Sequence, residues 1–279
     1  MKKCLIVEGG GFKTGFTSGV LDAFMIGQFQ PFDLLIGTSG GAVALSYYLS
    51  QQYRACLNAI RLLADDKHFT NLRRALQEEG YMDIDYLANV AEDKVPFLVG
   101  RALSNAKGKK VRFVATNRES GNAAYLSPKK ENWLDLVIAS STLPFVTKGK
   151  HVIDGVDYFD GGWSDPLPVK WAYEQGAKEI LILRTWPTFF RSRQSWTDYF
   201  GSLYFNSTPS LKEVFATAFE RYNSSLAFME RAPEDLKINQ IAPSKLLKSS
   251  TYSYTKSTIM KDYRYGLDLG AQYVQEYRK

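Results

Sequence analysis

Ser39 lies in a glycine-flanked segment that could make it a nucleophile. The segment reads Gly37-Thr38-Ser39-Gly40-Gly41 and fits the G-x-S-x-G pattern, in which a serine is held on a sharp turn between a strand and a helix. Glycines two positions before and after the serine remove side chains that would collide there, and the following helix directs its amides and positive dipole end at the reacting atoms. Because the pattern is short, an ordinary glycine-rich loop is the alternative interpretation.

A serine hydroxyl also needs a base, and the chain contains only two histidines, His68 and His151. A triad through His151 stays open, although no motif supports an acidic partner between Ser39 and His151. Asp160-Gly161-Gly162 offers a carboxylate at the end of a predicted strand, which could accept the serine proton directly if burial raises its pKa. The alternative interpretation is an ordinary Asp-Gly-Gly turn.

A third motif, Glu8-Gly9-Gly10-Gly11-Phe12-Lys13-Thr14-Gly15, follows the first predicted strand. Consecutive glycines leave backbone amides free to bind negative charge, either on a phosphate or on a tetrahedral oxyanion. A dinucleotide loop would need glycine where the chain has Thr14, and a phosphate loop would need its Lys-Ser/Thr pair later than Lys13-Thr14. The spacing therefore favours an oxyanion hole.

The order of the predicted elements indicates an α/β protein. Strands alternate with helices in the first third, which is typical of a mostly parallel sheet with helices on its faces, and such sheets bind ligands at the carboxyl ends of their strands. Residues 52–105 are predicted to be mostly helical. Predicted strands span Lys3–Val7, Asp33–Ile36, Lys110–Thr116, Glu179–Leu183 and Lys237–Ile241, with a hairpin at His151–Asp160; predicted helices span Phe16–Gly27, Gly40–Gln51, Trp133–Ser141, Pro168–Gly176, 209–231 and Thr255–Arg278.

Composition is typical of a globular enzyme, with 45% hydrophobic and 23% charged residues among 279. Two cysteines, Cys4 and Cys56, argue against a disulfide framework, and the lack of a long apolar run predicts a cytoplasmic protein.

The net charge of +6 suits anionic surfaces such as phospholipid or nucleic acid. Residues Trp186–Trp196 interleave aromatic rings with arginines and could rest at a lipid interface; a partly buried loop is the alternative.

The glycine run, the serine elbow and the Asp-Gly-Gly turn, in this order, resemble the motifs of the patatin-like phospholipase family, in particular its bacterial members. The resemblance covers residues 3–185 and includes 19–24 and Ala139–Pro144, which are similar to the family's first helix and to a segment before its aspartate strand. It implies a three-layer α/β sandwich with a mainly helical C-terminal extension. A core of 1–185 with 186–279 packed on it is the domain organisation that we expect.

The resemblance also implies roles for individual residues. Ser39 is the expected nucleophile and Asp160 the proton acceptor of a dyad, Gly37 and Gly41 frame the elbow, and Lys13 takes the position of the family's arginine, where it would support the loop or attract a phosphate headgroup. Glu8 replaces the family's more usual aspartate, as it does in some bacterial members. Thr14 replaces the closing glycine of the loop, so the oxyanion hole could be weakened. The residues expected at the oxyanion are Gly9, Gly10, Gly11 and Gly40.

The function implied by this resemblance is hydrolysis of fatty acyl esters by a lipase, phospholipase A or lysophospholipase, without a metal or other cofactor. The expected partner is a lipid substrate, with peripheral contact to an anionic membrane and no nucleic acid. Two alternatives stay open: a catalytically weak lipid-binding or regulatory module, and a nucleotide-phosphate-binding enzyme.

Overall fold

A single mixed sheet of eight strands forms the centre of the molecule. The computed structural model describes residues 2–71 and 80–279. Five strands are parallel, in the order β3-β2-β1-β7-β8, while β4 and β6 pair antiparallel with β3, and β5 pairs antiparallel with β6. The strands are β1 Lys2–Val7, β2 Leu34–Thr38, β3 Lys110–Asn117, β4 Ala123–Leu126, β5 His151–Ile153, β6 Val156–Asp160, β7 Ala177–Leu183 and β8 Lys237–Ile241.

Helices cover both faces of this sheet. In the described ranges they are α1 Thr14–Ile26, α2 Gly40–Leu49, α3 Ala55–Asp65, α4 Tyr86–Asn89, α5 Val99–Asn105, α6 Trp133–Ser141, α7 Val169–Glu174, α8 Trp196–Tyr204, α9 Pro209–Glu230 and α10 Lys256–Tyr277. Short 3-10 turns cover Gly11–Lys13 and Gly161–Trp163, and a π turn covers Val90–Lys94.

The three layers follow from the alternation of side chains along β1. Leu5 and Val7 point into the core that contains α1, α2, α3, α6 and α10, whereas Cys4 and Ile6 point into the core that contains α7 and α9. Successive side chains of a strand point to opposite faces, so the continuous apolar run Cys4–Val7 of β1 is covered on both sides. The expected sandwich with a mostly parallel sheet is confirmed.

Helix α10 packs against α1 with backbone nearly in contact with backbone. A Cβ atom at Gly19 would lie 2.1 Å from the carbonyl oxygen of Tyr263, and one at Gly266 would lie 2.0 Å from that of Phe16. Any larger residue at either glycine would force the helices apart. Together with β8, which extends the sheet beside β7, α10 brings the C-terminal part of the chain against the first strand and helix.

Most predicted elements are confirmed within one or two residues at each end, and Trp133–Ser141 and Lys237–Ile241 match to the residue. Two elements were missed, the short strand β4 and the helix α8. The helical prediction for 52–105 is confirmed for α3, α4 and α5; residues 72–79 lie outside the described residues. The division at residue 185 stays a prediction. Among the described residues, no helix combines the length and the apolar character needed to cross a bilayer.

Candidate active site

The loop between β2 and α2 holds Ser39 in a strained backbone conformation. Its φ and ψ angles are 54° and −130°, a region that non-glycine residues rarely adopt, and Ser39 is the N-cap of α2. Glycine is required on both sides of Ser39 because neighbouring backbone lies too close for a side chain. A Cβ at Gly37 would lie 2.7 Å from Cα of Ala42, and one at Gly41 would lie 2.1 Å from the carbonyl oxygen of Val7. The segment therefore has the geometry of a nucleophile elbow.

The end of α6 ties the elbow to Asp160. The backbone amide of Ser39 donates to Oγ of Ser140 at 2.9 Å, and that hydroxyl donates to the carbonyl of Val114 on β3 at 2.6 Å. Two residues further on, the carbonyl of Thr142 accepts from the backbone amide of Asp160 at 2.8 Å. One segment thus holds both groups, and the β3–β6 pairing places Asp160 opposite Ala115.

Asp160 is a buried carboxyl that faces Ser39. Its Oδ1 accepts from the amide of Gly162 at 2.7 Å, whereas Oδ2 is buried without a hydrogen-bond partner of standard geometry among the described residues. Burial raises the pKa of Asp160 to about 7, against the lowering effects of the Ser39 hydroxyl and the Gly162 amide. A carboxyl with this pKa is half ionised near neutral pH, as a general base requires.

The glycine loop after β1 lies against the elbow. In the β1–β2 register Val7 is opposite Gly37, so the residues that follow each strand emerge side by side. A Cβ at Gly9 would lie 2.7 Å from Cβ of Ser39, so any residue other than glycine would collide with Ser39. Gly10 and Gly11 have φ angles of 157° and 55°, in the region that favours glycine.

Thr14 braces this loop from the first turn of α1. Its hydroxyl donates to the carbonyl of Gly11 at 2.6 Å, and the side chain is buried. A Cβ at Gly40 would lie 2.0 Å from Oγ1 of Thr14, so the two loops meet at this hydroxyl. Gly40 is the first residue of α2. The first backbone amides of a helix have no hydrogen-bond partner within that helix.

Glu8 anchors the other end of the loop through a buried network. Oε1 accepts from the hydroxyl of Tyr222 on α9 at 2.8 Å, and Oε2 accepts from the amide of Thr185 at 2.5 Å. Arg184 donates to the Tyr222 hydroxyl at 3.0 Å. Burial raises the pKa of Glu8, whereas Arg184 and these hydrogen bonds lower it. The hydroxyl of Thr185 donates to the carbonyl of Gly9 at 2.7 Å, which fixes the loop further.

Lys13 is buried against an aromatic ring. Its Nζ lies 2.8 Å from the centroid of the Trp186 ring, a cation–π contact, and its backbone amide donates to the carbonyl of Gly10 at 3.1 Å. Burial lowers the pKa of Lys13 to about 8, while Glu8 and Asp262 favour the charged form. Lys13 therefore contacts the loop, as one of its two expected roles requires.

Two cavities meet at Ser39. The first has a volume of about 90 Å³ and an almost wholly apolar lining from α2, α3 and α6, which includes Val43, Tyr47, Ala59, Leu63, Leu134 and Val137. The second has a volume of about 320 Å³ and a mixed lining that includes the polar side chains of Lys13, Asp160, Ser192, Arg193, Ser195 and Asp198, and it is called the polar cavity below. The residues common to both linings are Ser39, Gly11, Leu143 and Thr251.

Both histidines lie outside this arrangement. His151 contacts Asp135 through Nε2 at 3.3 Å and Lys148 through Nδ1 at 2.7 Å, and burial together with Lys148 lowers its pKa. His68 contacts Asp66 and is exposed. Neither histidine lines a cavity at Ser39. In residues 2–71 and 80–279, no group of three His, Cys, Asp or Glu side chains is arranged to hold a metal ion.

The fold and this site define an α/β protein with a serine elbow at the carboxyl ends of its parallel strands. The family model of patatin-like phospholipase matches residues 5–173, more than half of the chain. The chain therefore belongs to the patatin-like phospholipase family, a family of lipid hydrolases, and the resemblance of its motifs is confirmed. A second model, a domain of unknown function (DUF6363), matches residues 208–279.

One curated relative is similar over nearly the whole chain. It is the uncharacterized protein YjjU of Escherichia coli K12, 32% identical over 270 residues that cover 94% of this chain and 74% of the relative. Among solved structures, VipD from Legionella pneumophila aligns with a TM-score of 0.47 and 14% identity, over 99% of this chain and 67% of that one.

Several residues that shape the site lie outside the three motifs. Ser140 lies within the segment Ala139–Pro144, which resembles a segment of the family, so the sequence carries a signal for it. Tyr222 and Thr251 carried no signal, because they reach the glycine loop from α9 and from the segment before α10. A Cβ at Gly11 would lie 2.8 Å from Oγ1 of Thr251, which shows how closely the C-terminal segment covers the loop.

Proposed function

We propose that this protein is a serine acyl hydrolase that cleaves fatty acyl esters with Ser39 and Asp160. The observation that carries the proposal is the buried carboxyl of Asp160, facing a serine on a strained elbow at the junction of an apolar and a polar cavity. Membership of a lipid hydrolase family supports the same class of reaction.

In the first half of the reaction, Oγ of Ser39 attacks the ester carbonyl carbon and its proton passes to the Asp160 carboxylate. The amides of Gly10, Gly11 and Gly40 bind the oxygen that becomes negative, as preorganised donors at that position stabilise the transition state. Asp160 then gives the proton to the departing alcohol oxygen. The product of this half is an acyl ester of Ser39 and a free alcohol.

In the second half, water attacks the acyl carbon while Asp160 takes one of its protons. The bond to Oγ of Ser39 breaks, that oxygen recovers the proton, and the fatty acid leaves. The pKa of about 7 for Asp160 suits both directions of transfer near neutral pH.

The two cavities suggest how an ester is oriented. The almost wholly apolar lining of the first cavity favours an acyl chain. The polar cavity offers Lys13 and Arg193 to the alcohol part, which favours a phosphate-bearing headgroup. We therefore propose phospholipids or lysophospholipids as substrates, bound with the acyl chain towards α2 and α3.

The test is fatty acid release from phosphatidylcholine, lysophosphatidylcholine and p-nitrophenyl esters, measured by mass spectrometry and absorbance. We expect Ser39→Ala and Asp160→Asn each to lower kcat by about a thousandfold or more. Asp157→Asn is the matched control, since Asp157 lies on the same strand and pairs with Lys150 and Arg118 instead. A folded wild-type protein that binds lipid without turnover would favour the regulatory module; binding of nucleotide alone would favour the third alternative.

A further inference from the structure

We propose that the exposed face of α8 docks on an anionic phospholipid bilayer beside the mouth of the polar cavity. The reason for expecting a bilayer there rests on the proposed function. The face consists of Trp196, Tyr199, Phe200, Leu203 and Tyr204, and their exposed fractions range from 45% to 78%. Their spacing of i, i+3, i+4, i+7 and i+8 puts all five on one side of the helix.

This arrangement is the reverse of an ordinary surface helix, which buries its apolar stripe. The buried side of α8 is formed by Asp198 and Gly201. A Cβ at Gly201 would lie 2.3 Å from the ring of Phe215, so α8 packs closely on α9. Asp198 accepts from Nε1 of Trp163 at 3.1 Å and forms a capping box with Ser195. The helix is therefore fixed with its aromatic side outward.

The helix that carries the docking face adjoins the polar cavity of the candidate active site. Ser195 and Asp198, at the start of α8, line the polar cavity together with Ser39. At the other end of the helix, the ring of Tyr204 packs edge-on against Phe145, with centroids 5.3 Å apart. Phe145 is itself 42% exposed and follows Leu143, which lines both cavities, by two residues.

Charge favours an anionic lipid surface as the occupant. Between residues 186 and 213 the basic residues are Arg191, Arg193 and Lys212, and the acidic residues are Asp198, which is buried, and Glu213, which is exposed. Arg191 pairs with Glu230, whereas Arg193 is exposed and forms no ion pair among the described residues. Trp and Tyr prefer the bilayer interface, and cations near it attract anionic headgroups. Neither family model reaches α8, since one match ends at 173 and the other begins at 208.

The experiment measures flotation of the Ser39→Ala protein with vesicles of phosphatidylcholine alone or with about a third phosphatidylglycerol. The Ser39→Ala background prevents hydrolysis during the measurement. We expect binding to the mixed vesicles that weakens with salt, and an about tenfold loss in the Trp196→Gln/Phe200→Gln double variant. The matched control is Ile26→Gln, which removes a 64% exposed apolar side chain at the end of α1 and should leave binding unchanged.

Equal vesicle binding by the double variant and its parent would overturn the docking proposal. A dimer detected by light scattering and abolished by the same two substitutions would also overturn it, in favour of a second copy of the chain as the occupant. With Ser39 intact, the double variant should hydrolyse a soluble short-chain ester at the wild-type rate and vesicle phospholipid about tenfold more slowly. Wild-type protein that binds vesicles through α8 but hydrolyses no ester would refute the proposed function while supporting docking.

Discussion

Replacement of Asp160 by asparagine should stabilise the protein while it abolishes activity. Burial raises the pKa of this carboxyl from 3.8 to about 7, so the folded protein binds the proton more tightly than the unfolded chain does. Folding stability from this group is therefore fully present below pH 3.8 and is lost as the pH rises towards 7. Above pH 7 the folded protein carries a charged carboxylate that the unfolded chain would hold at lower free energy.

The size of this cost follows from the two pKa values. At about 1.4 kcal/mol per pH unit, the raised pKa costs about 4 kcal/mol of stability at pH 8, where the folded protein holds the carboxylate, and about 2 kcal/mol at pH 5, where folding requires the carboxyl to be protonated. Asparagine keeps an Oδ1 acceptor for the amide of Gly162 and carries no charge. We expect Asp160→Asn to raise the free energy of unfolding by up to about 4 kcal/mol at pH 8.

The assay is urea unfolding followed by circular dichroism, at pH 8 and pH 5, for the wild type and Asp160→Asn. Asp157→Asn is the control on the same strand; Lys150 and Arg118 hold the pKa of Asp157 low, so its replacement should lower stability slightly at pH 8. An Asp160→Asn protein that is no more stable than the wild type at pH 8, or whose gain in stability is the same at both pH values, would show that burial does not raise the pKa of Asp160.

Four further predictions concern the site. Ester hydrolysis by the wild type, measured as kcat/KM across pH, should fall about tenfold per pH unit below pH 7, because protonated Asp160 cannot accept the serine proton. Thr14→Gly should lower kcat about tenfold by freeing the carbonyl of Gly11, and a rate equal to or above wild type would contradict the bracing role. Ala59→Leu should slow turnover of long-chain esters and spare short-chain ones, provided that thermal unfolding shows a folded protein. His151→Ala should leave kcat within about twofold, whereas a loss of a hundredfold would restore the histidine triad.

The sequence was sufficient for the elements that carry local signals. The strands β1 and β2 are continuous apolar runs, and the elbow, the glycine run and the Asp-Gly-Gly turn depend on glycine at positions where a Cβ would collide. Because the sequence contains only two histidines, it favours Asp160 as the base. Its burial, which sets the pKa, comes from the packing of β3, β6 and α6, and no local pattern in the sequence reveals that packing.

The parts that were missed depend on tertiary contacts. Strand β4 reads Ala-Ala-Tyr-Leu without branched residues and exists by pairing with β3. Helix α8 was missed because its apolar stripe follows an aromatic loop and faces outward. Within the segment Trp186–Trp196, Trp186 stacks on Phe190 with centroids 4.0 Å apart, whereas Phe189 is 68% exposed and Trp196, the first residue of α8, is 78% exposed.

Thr14 illustrates why a departure from a motif needs the structure before its effect is judged. From the sequence, threonine in place of the closing glycine pointed to a weaker oxyanion hole. In the folded protein its hydroxyl bonds to Gly11 and contacts the position of Gly40, so it joins the two loops whose amides would bind the oxyanion. We infer that this threonine supports the loop geometry.

The central claim is that Ser39 is a nucleophile activated by Asp160, and covalent labelling tests it most directly. The protein would be treated with a fluorophosphonate and the adduct located by peptide mass spectrometry. We predict one adduct on Ser39, none in Ser39→Ala, and labelling at least about a hundredfold slower in Asp160→Asn but unchanged in Asp157→Asn. A folded wild-type protein that remains unlabelled, or that labels at Ser39 equally fast without the Asp160 carboxylate, would contradict the account.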